Sequence, residues 1–297
     1  EAVKLLHKAC DGGINFFDTA RAYSDSEQKV GAAFSSMRDK IVLATKTGAQ
    51  TAEGFWKDLE TSLRTLKTDY IDIYQFHNPA FCPKPGGEDG LYDAALEAKK
   101  QGKIRHIAIT NHRLAVAHEA IDSGLYETLQ FPFSYLAGEQ EGELVRKCRA
   151  QNMGFIAMKG LAGGLLNNAK ACMNFIKQYD NVVPIWGIQT EEELDEWLAL
   201  ENAGDFAITD EIKAVIERDR KELCGNFCRS CGYCLPCPAG IDIPQAARMS
   251  RLLRRSPYKP YMSDEWHKKM HMIDDCRGCG ACASRCPYGL NTPKLLK

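Results

Sequence analysis

The chain has 297 residues, 44% of them hydrophobic and 26% charged, with a formal net charge of −1. That balance excludes a disordered or fibrous polypeptide and suits one large globular domain followed by a small one. No run of eighteen uncharged apolar residues occurs and the opening Glu1-Ala2-Val3-Lys4-Leu5-Leu6-His7 has amphipathic helical character, so the sequence predicts no membrane anchor and no signal peptide.

In chain order, short β-rich runs alternate with amphipathic stretches from Glu1 to about Lys221, which is the pattern of βαβ units around a parallel sheet. Seven strands are expected at 14–17, 41–45, 71–76, 104–109, 128–131, 154–158 and 182–185, and helices at 26–34, 53–66, 91–100, 114–123 and 139–151. Seven is one short of a (β/α)8 TIM barrel. The chain also opens inside a helix with no Met, so the expectation is a barrel whose first strand precedes Glu1. An open doubly wound sheet is the alternative, weakened because no G-x-G-x-x-G follows a strand.

Near Leu223 the composition turns to Cys, Gly and Pro, which divides the chain into a barrel domain over 1–222 and a small domain over 223–297. Of thirteen cysteines, nine fall between Cys224 and Cys286 at metal-type spacings, which points to a reducing, cytoplasmic compartment rather than to a disulfide framework. Cys276-x2-Cys279-x2-Cys282-x3-Cys286-Pro287 is the bacterial ferredoxin run, in which three thiolates grip one cluster and the fourth reaches another. Cys228-x2-Cys231-x2-Cys234-x2-Cys237-Pro238 is a second such run. The crossed arrangement assigns Cys228, Cys231, Cys234 and Cys286 to one [4Fe–4S] cluster and Cys276, Cys279, Cys282 and Cys237 to the other, with structural zinc as the competing reading. Gly232, Gly278 and Gly280 allow backbone N–H groups close to the sulfides. Cys224 has no place in two four-thiolate sites, and the isolated Cys10, Cys82, Cys148 and Cys172 read as small buried hydrophobes.

Residues 224–297 carry twelve Lys/Arg against five Asp/Glu, whereas the preceding residues carry 26 against 34. A basic tail compensates anionic clusters, and it also suits docking of an acidic electron carrier such as a ferredoxin or flavodoxin. The basic stretch Arg248-Met249-Ser250-Arg251-Leu252-Leu253-Arg254-Arg255 lacks any nucleic-acid-binding motif.

In the first domain Asp18, Lys46 and His77 fall at or just beyond the C-terminal ends of expected strands, with Tyr23 in the loop after the first, and barrel active sites lie on that face. The segment Gly13-Ile14-Asn15-Phe16-Phe17-Asp18-Thr19-Ala20-Arg21-Ala22-Tyr23 resembles the signature of the aldo-keto reductases. The resemblance extends through Leu43-Ala44-Thr45-Lys46, through Asp69-Tyr70-Ile71-Asp72-Ile73-Tyr74-Gln75-Phe76-His77, and to Thr110-Asn111. The tail resembles the subset of that family with a C-terminal dicluster ferredoxin-type domain. A catalytic tetrad follows from this: Tyr23 as proton donor, Lys46 as the cation that stabilises its phenolate, Asp18 as the partner of Lys46, and His77 as hydrogen-bond donor to a substrate carbonyl.

The resemblance also implies NAD(P)H, with Thr110, Asn111 and Gln130 holding the nicotinamide amide and the Gly160–Leu165 loop, through Leu161, Gly163 and Gly164, receiving the pyrophosphate. After the last strand, however, no Lys or Arg occurs from Val182 to Leu200 while Glu191, Glu192, Glu193, Asp195 and Glu196 do. Those carboxylates disfavour the 2′-phosphate of NADPH, and they also suit the start of a helix capped by Thr190. The position of an aromatic residue that stacks on nicotinamide in many family members is Met158 here. NADH, or electrons supplied through the clusters alone, stay open. The expected function is oxidoreduction of a small carbonyl or alcohol substrate with clusters relaying single electrons. An electron-transfer or assembly subunit with the barrel as scaffold is the alternative.

Overall fold

The computed structural model describes residues 1–223, 227–256 and 258–296. Cys224 lies outside the described residues. The β-rich runs form β1 (Phe16–Asp18), β2 (Val42–Thr47), β3 (Ile71–His77), β4 (Ile104–Thr110), β5 (Thr128–Pro132), β6 (Gly154–Met158) and β7 (Val182–Pro184). Between and beyond them lie α1 (Ala2–Asp11), α2 (Ser26–Phe34), α3 (Ala52–Leu66), α4 (Leu91–Lys100), α5 (Leu114–Ser123), α6 (Glu139–Ala150), α7 (Ala169–Ile176), α8 (Glu191–Ala203) and α9 (Asp210–Leu223). The cysteine-rich part carries the shorter α10 (Ile243–Ala246), α11 (Met249–Arg255), α12 (Asp264–His271), α13 (Ala281–Ser284) and α14 (Thr292–Leu295). Among the described residues no helix is long and apolar enough to cross a membrane.

All seven strands pair in parallel in the order β1-β2-β3-β4-β5-β6-β7. Parallel neighbours need a crossover, and the intervening helices provide it. Near-continuous burial along β2 and β3 follows from helices covering one face while the strands enclose the other. On the enclosed side Ala44, Ile73, Ala108 and Ile156 form one buried cluster, with Phe16 and Ile185 packed against it. Residues near both edges of the sheet thus meet a common core, so the sheet is curled in the manner of a (β/α)8 fold.

Helix starts follow local chemistry: Thr51, Asn168 and Thr190 each accept a hydrogen bond from the backbone N–H three residues on. The Glu193 carboxylate reaches one residue beyond the cap and accepts from Gln189 N at 2.7 Å. Glu191 and Asp195 pair with Lys8 of α1, so the acidic run at the head of α8 has structural partners. Gly31 lets α2 approach the end of α3; a Cβ there would sit 2.5 Å from Thr65 O and 2.8 Å from Leu66 Cα, both backbone atoms that cannot swing away.

The contacts divide the chain into two compact units. One comprises Glu1–Pro132, Ala137–Met158 and Tyr179–Asp205, and holds the sheet. The other comprises Phe133–Leu136, Lys159–Gln178 and Phe206–Lys297. In this second unit the buried carboxylate of Asp219 accepts from Tyr135 Oη at 2.5 Å and pairs with Arg255 Nη2 at 2.6 Å, which satisfies a charge that burial would otherwise penalise. Around the cysteines, Ile241, Ile243, Ala246, Ala247 and Leu296 form an apolar cluster together with Cys228, Cys234 and Cys282.

Candidate active site and cluster-binding cysteines

Parallel strands place their C-terminal ends on one rim, and the side chains there alternate in and out along each strand. Asp18 ends β1, Lys46 lies one residue before the end of β2, and His77 ends β3. The register sets Lys46 beside Gln75, His77 beside Thr110, and Thr110 beside Gln130. Lys46 is fully buried, and its Nζ donates to Asp18 Oδ2 and to Thr19 O, both at 2.6 Å. Gln75 Nε2 donates to Asp18 Oδ1 at 3.1 Å and Gln130 Nε2 to Asp18 Oδ2 at 3.5 Å. Lys46 Nζ stands 5.3 Å from the centroid of the Tyr23 ring, and that ring meets His77 edge-on at 5.7 Å. All four residues of the expected tetrad are therefore neighbours.

The electrostatics of this group differ from the expectation in one respect. Burial pulls Lys46 below the usual ammonium range, against the opposing attraction of Asp18. Its charge is directed at that carboxylate, and the phenol is not pulled down by it. Loss of water around the hydroxyl, with the charge of Asp18 second, raises Tyr23 to about 12, although 47% of the residue stays exposed and solvent moderates the rise. Burial first and Lys46 second lower His77 to about 4. At neutral pH the site thus presents a protonated phenol and a neutral imidazole, two groups that can each donate to a carbonyl oxygen.

Gln75 was not singled out by sequence reading, yet it lies two residues before His77 and so shares its face of β3, a signal the period of two makes visible. The buried Glu27 is a second such residue. Its Oε1 accepts from Thr45 Oγ1 and Ser62 Oγ, and its Oε2 pairs with Arg21 from the loop that carries Tyr23.

The residues expected to hold a nicotinamide amide are buried at the strand ends. Gln130 keeps an unpaired Oε1. Asn111 is committed locally: Oδ1 accepts from His112 N and Arg113 N, and Nδ2 donates to Pro79 O. Leu161, Gly163 and Gly164 lie in the second unit, where the carbonyls of Gly163 and Gly164 accept hydrogen bonds from Arg248 and Ser256.

In the cysteine-rich part, Cys237, Cys276, Cys279 and Cys282 line one cavity of about 150 Å3, and Cys228, Cys231, Cys234 and Cys286 line a second. Each cavity takes the last cysteine of one run and the first three of the other. Among the described residues no group of three or more His, Cys, Asp or Glu is arranged to hold a single metal ion. Four thiols spread around a cavity suit a cube of iron and sulfide better than one tetrahedral zinc, whose ligands must converge to ~2.3 Å from a point. Ser230 N donates to Cys228 Sγ at 3.4 Å, the kind of N–H···S contact that stabilises a thiolate ligand. Arg285 ties the runs together, donating from Nη2 to Cys234 O and Pro236 O, from Nη1 to Leu235 O and from Nε to Ala281 O.

Comparison with known proteins agrees with both halves. The model of the aldo/keto reductase family matches residues 1–176, and that of a 4Fe-4S dicluster domain matches residues 227–291. An uncharacterized oxidoreductase of Bacillus subtilis, YqkF, is 31% identical over 180 residues, which cover 56% of this chain and 58% of that protein. The chain thus spans little more than half the length of that relative. Among solved structures, the holo form of aldo-keto reductase AKR11C1 from Bacillus halodurans superposes with a TM-score of 0.63 at 21% identity, covering 73% of this chain and 86% of that one. An aldo/keto reductase from Klebsiella pneumoniae in complex with NADP and acetate gives 0.62 at 23% identity, covering 73% and 84%.

Proposed function

The chain belongs to the aldo/keto reductase family, and from that premise we propose that it is an iron–sulfur oxidoreductase that interconverts a small carbonyl compound and its alcohol at the Tyr23, Lys46, His77 and Asp18 site. The observation that carries the proposal is the buried Lys46–Asp18 pair with Tyr23 and His77 gathered against it. In the reducing direction His77, neutral at working pH, donates a hydrogen bond to the substrate oxygen. Tyr23 then delivers its proton to the same oxygen as negative charge develops there. Lys46 helps hold the His77 ring neutral, and Asp18, steadied by the amides of Gln75 and Gln130, fixes the ammonium in place.

Residues 1–222 carry this chemistry and residues 223–297 hold two [4Fe–4S] clusters, on Cys228, Cys231, Cys234 and Cys286 and on Cys276, Cys279, Cys282 and Cys237. Reduction of a carbonyl to an alcohol takes two electrons and two protons. Bound clusters would pass the electrons one at a time from an external carrier, with Tyr23 giving the proton at oxygen and solvent the proton at carbon. The excess of basic residues after Cys224 suits an acidic one-electron carrier, a ferredoxin or a flavodoxin, in a reducing cytoplasm.

The test uses anaerobically purified, cluster-replete protein and its Tyr23→Phe variant. Carbonyl turnover is measured together with bleaching of the clusters by a one-electron reductant, by NADH and by NADPH. Tyr23→Phe is expected to lose ~10²–10⁴-fold in turnover, the usual contribution of a positioned proton donor, with bleaching by the one-electron reductant unchanged. Equal turnover by the two proteins on every carbonyl tried, with clusters that still cycle, would assign the chain to electron carriage and the barrel to a scaffold.

A further inference from the structure

The glycine-rich loop at 160–165, directly after β6 in sequence, is filled by this chain's own cysteine-rich part. Arg248 Nη1 donates to Gly163 O at 2.8 Å, Ser256 Oγ to Gly164 O at 3.1 Å and Arg255 Nε to Leu165 O at 2.8 Å. Arg248 is only 4% exposed, and its Nε also donates to Pro244 O at 3.2 Å. Gly163 has φ +69, and a Cβ there would lie 2.4 Å from Arg248 Nη1 and 3.5 Å from Ser230 Cβ. The glycine is therefore explained by the guanidinium lying across it. A pyrophosphate approaching this backbone would need the space that guanidinium fills.

The same contacts lead to the first cysteine run. Lys159 Nζ, at the start of the loop, lies 3.5 Å from Ser230 O, and Ser230 N donates to Cys228 Sγ. Two cationic side chains thus lie close enough to act on these thiols, Arg248 and Lys159 on Cys228 and Lys159 also on Cys231. Positive charge and hydrogen bonds next to a cluster favour its more negative, reduced state and so raise its potential.

We infer that the 160–165 loop is the seat of the run Cys228, Cys231 and Cys234 and is closed to a dinucleotide, and that Arg248 is a positioning residue that raises the potential of the cluster held there. This rests on the cluster assignment proposed above.

The experiment is a potentiometric titration followed by electron paramagnetic resonance on the full chain with both clusters reconstituted, for wild type, Arg248→Met, Arg248→Lys and Gly163→Ala. Arg248→Met should move the midpoint of one cluster signal to a more negative value by about tenfold in its reduction equilibrium constant, ~59 mV for one electron. The other signal should stay in place, and Arg248→Lys, which keeps the charge, should restore part of the shift. Gly163→Ala displaces the guanidinium without removing it and should move the same signal the same way, so it carries the test if Arg248→Met fails to hold its clusters. Wild type should show no saturable change in the fluorescence of NADH or NADPH on mixing. Two normal signals that ignore Arg248→Met and Gly163→Ala, or saturable dinucleotide binding by wild type, overturn this inference alone. Absence of both [4Fe–4S] signals from wild type overturns the cluster assignment and this inference with it.

Discussion

Replacing Lys46 by Met isolates the interaction at the centre of the site. The side chain has no exposed surface, and its Nζ has two acceptors at 2.6 Å, Asp18 Oδ2 and Thr19 O. Met preserves most of the aliphatic stem but strands the Asp18 carboxylate, 7% exposed, on two amides at 3.1 and 3.5 Å. Removing one member of a buried ion pair costs about 3–5 kcal/mol, because the remaining charge loses its partner without regaining water. At ~2–4 °C per kcal/mol for a domain of this size, the melting temperature should fall by roughly 6–20 °C. Asp18→Asn should cost a similar amount from the other side, leaving the ammonium on Thr19 O. The double variant, with neither charge, should be less destabilised than the two single changes summed, by ~2 kcal/mol or more. The assay is guanidinium-induced unfolding of the four proteins at neutral pH, followed by tryptophan fluorescence, to which three of the four tryptophans, Trp56, Trp186 and Trp197, contribute from the unit that holds the sheet. Coupling below about 0.5 kcal/mol, the limit expected of independent sites, would refute the pair as the organiser of the site.

The pH dependence of stability should carry a signature of His77. In the folded state the ring takes up its proton near pH 4, whereas in the unfolded chain it does so near ~6.5. Between those values the unfolded chain binds more protons, so stability should fall as pH drops from about 6.5 to about 4. Unfolding curves across that window should be flatter for His77→Gln, and identical slopes would show that the ring is not desolvated as described. Arg285→Met should loosen the cluster-binding part, since it removes a guanidinium that spans the two cysteine runs through four carbonyl contacts. Loss of only one charge-assisted bond's worth, ~1.5 kcal/mol, corresponds to about a tenfold faster decay of the cluster absorbance in the presence of a chelator; an unchanged decay would assign Arg285 a surface role.

The sheet and its helices were legible because their signals are local. Strand positions follow from β-rich runs such as Ile71–His77, and helix positions from apolar residues at helical spacing closed by caps such as Thr190. Asp18, Lys46 and His77 could be found as a set because a parallel barrel delivers every strand end to one rim, so position along a strand stands in for position in space. The cysteine runs were equally legible, since thiolate spacing on a tight loop is itself the constraint.

What the tertiary structure alone decided are contacts between residues far apart in sequence. The resemblance pairs Lys46 with Asp18 and also gives Lys46 the task of stabilising the Tyr23 phenolate; the fold sets Asp18 at 2.6 Å as expected, but burial of the hydroxyl and the charge of Asp18 leave the phenol above its usual range. Gly163 and Gly164 carry the composition of a phosphate loop, and nothing within the loop distinguishes that use from a seat for Arg248, a residue 85 positions later. Periodicity and motif spacing record what a segment can do by itself. Which partner reaches it is set by packing, because burial removes the water that would otherwise satisfy either choice equally.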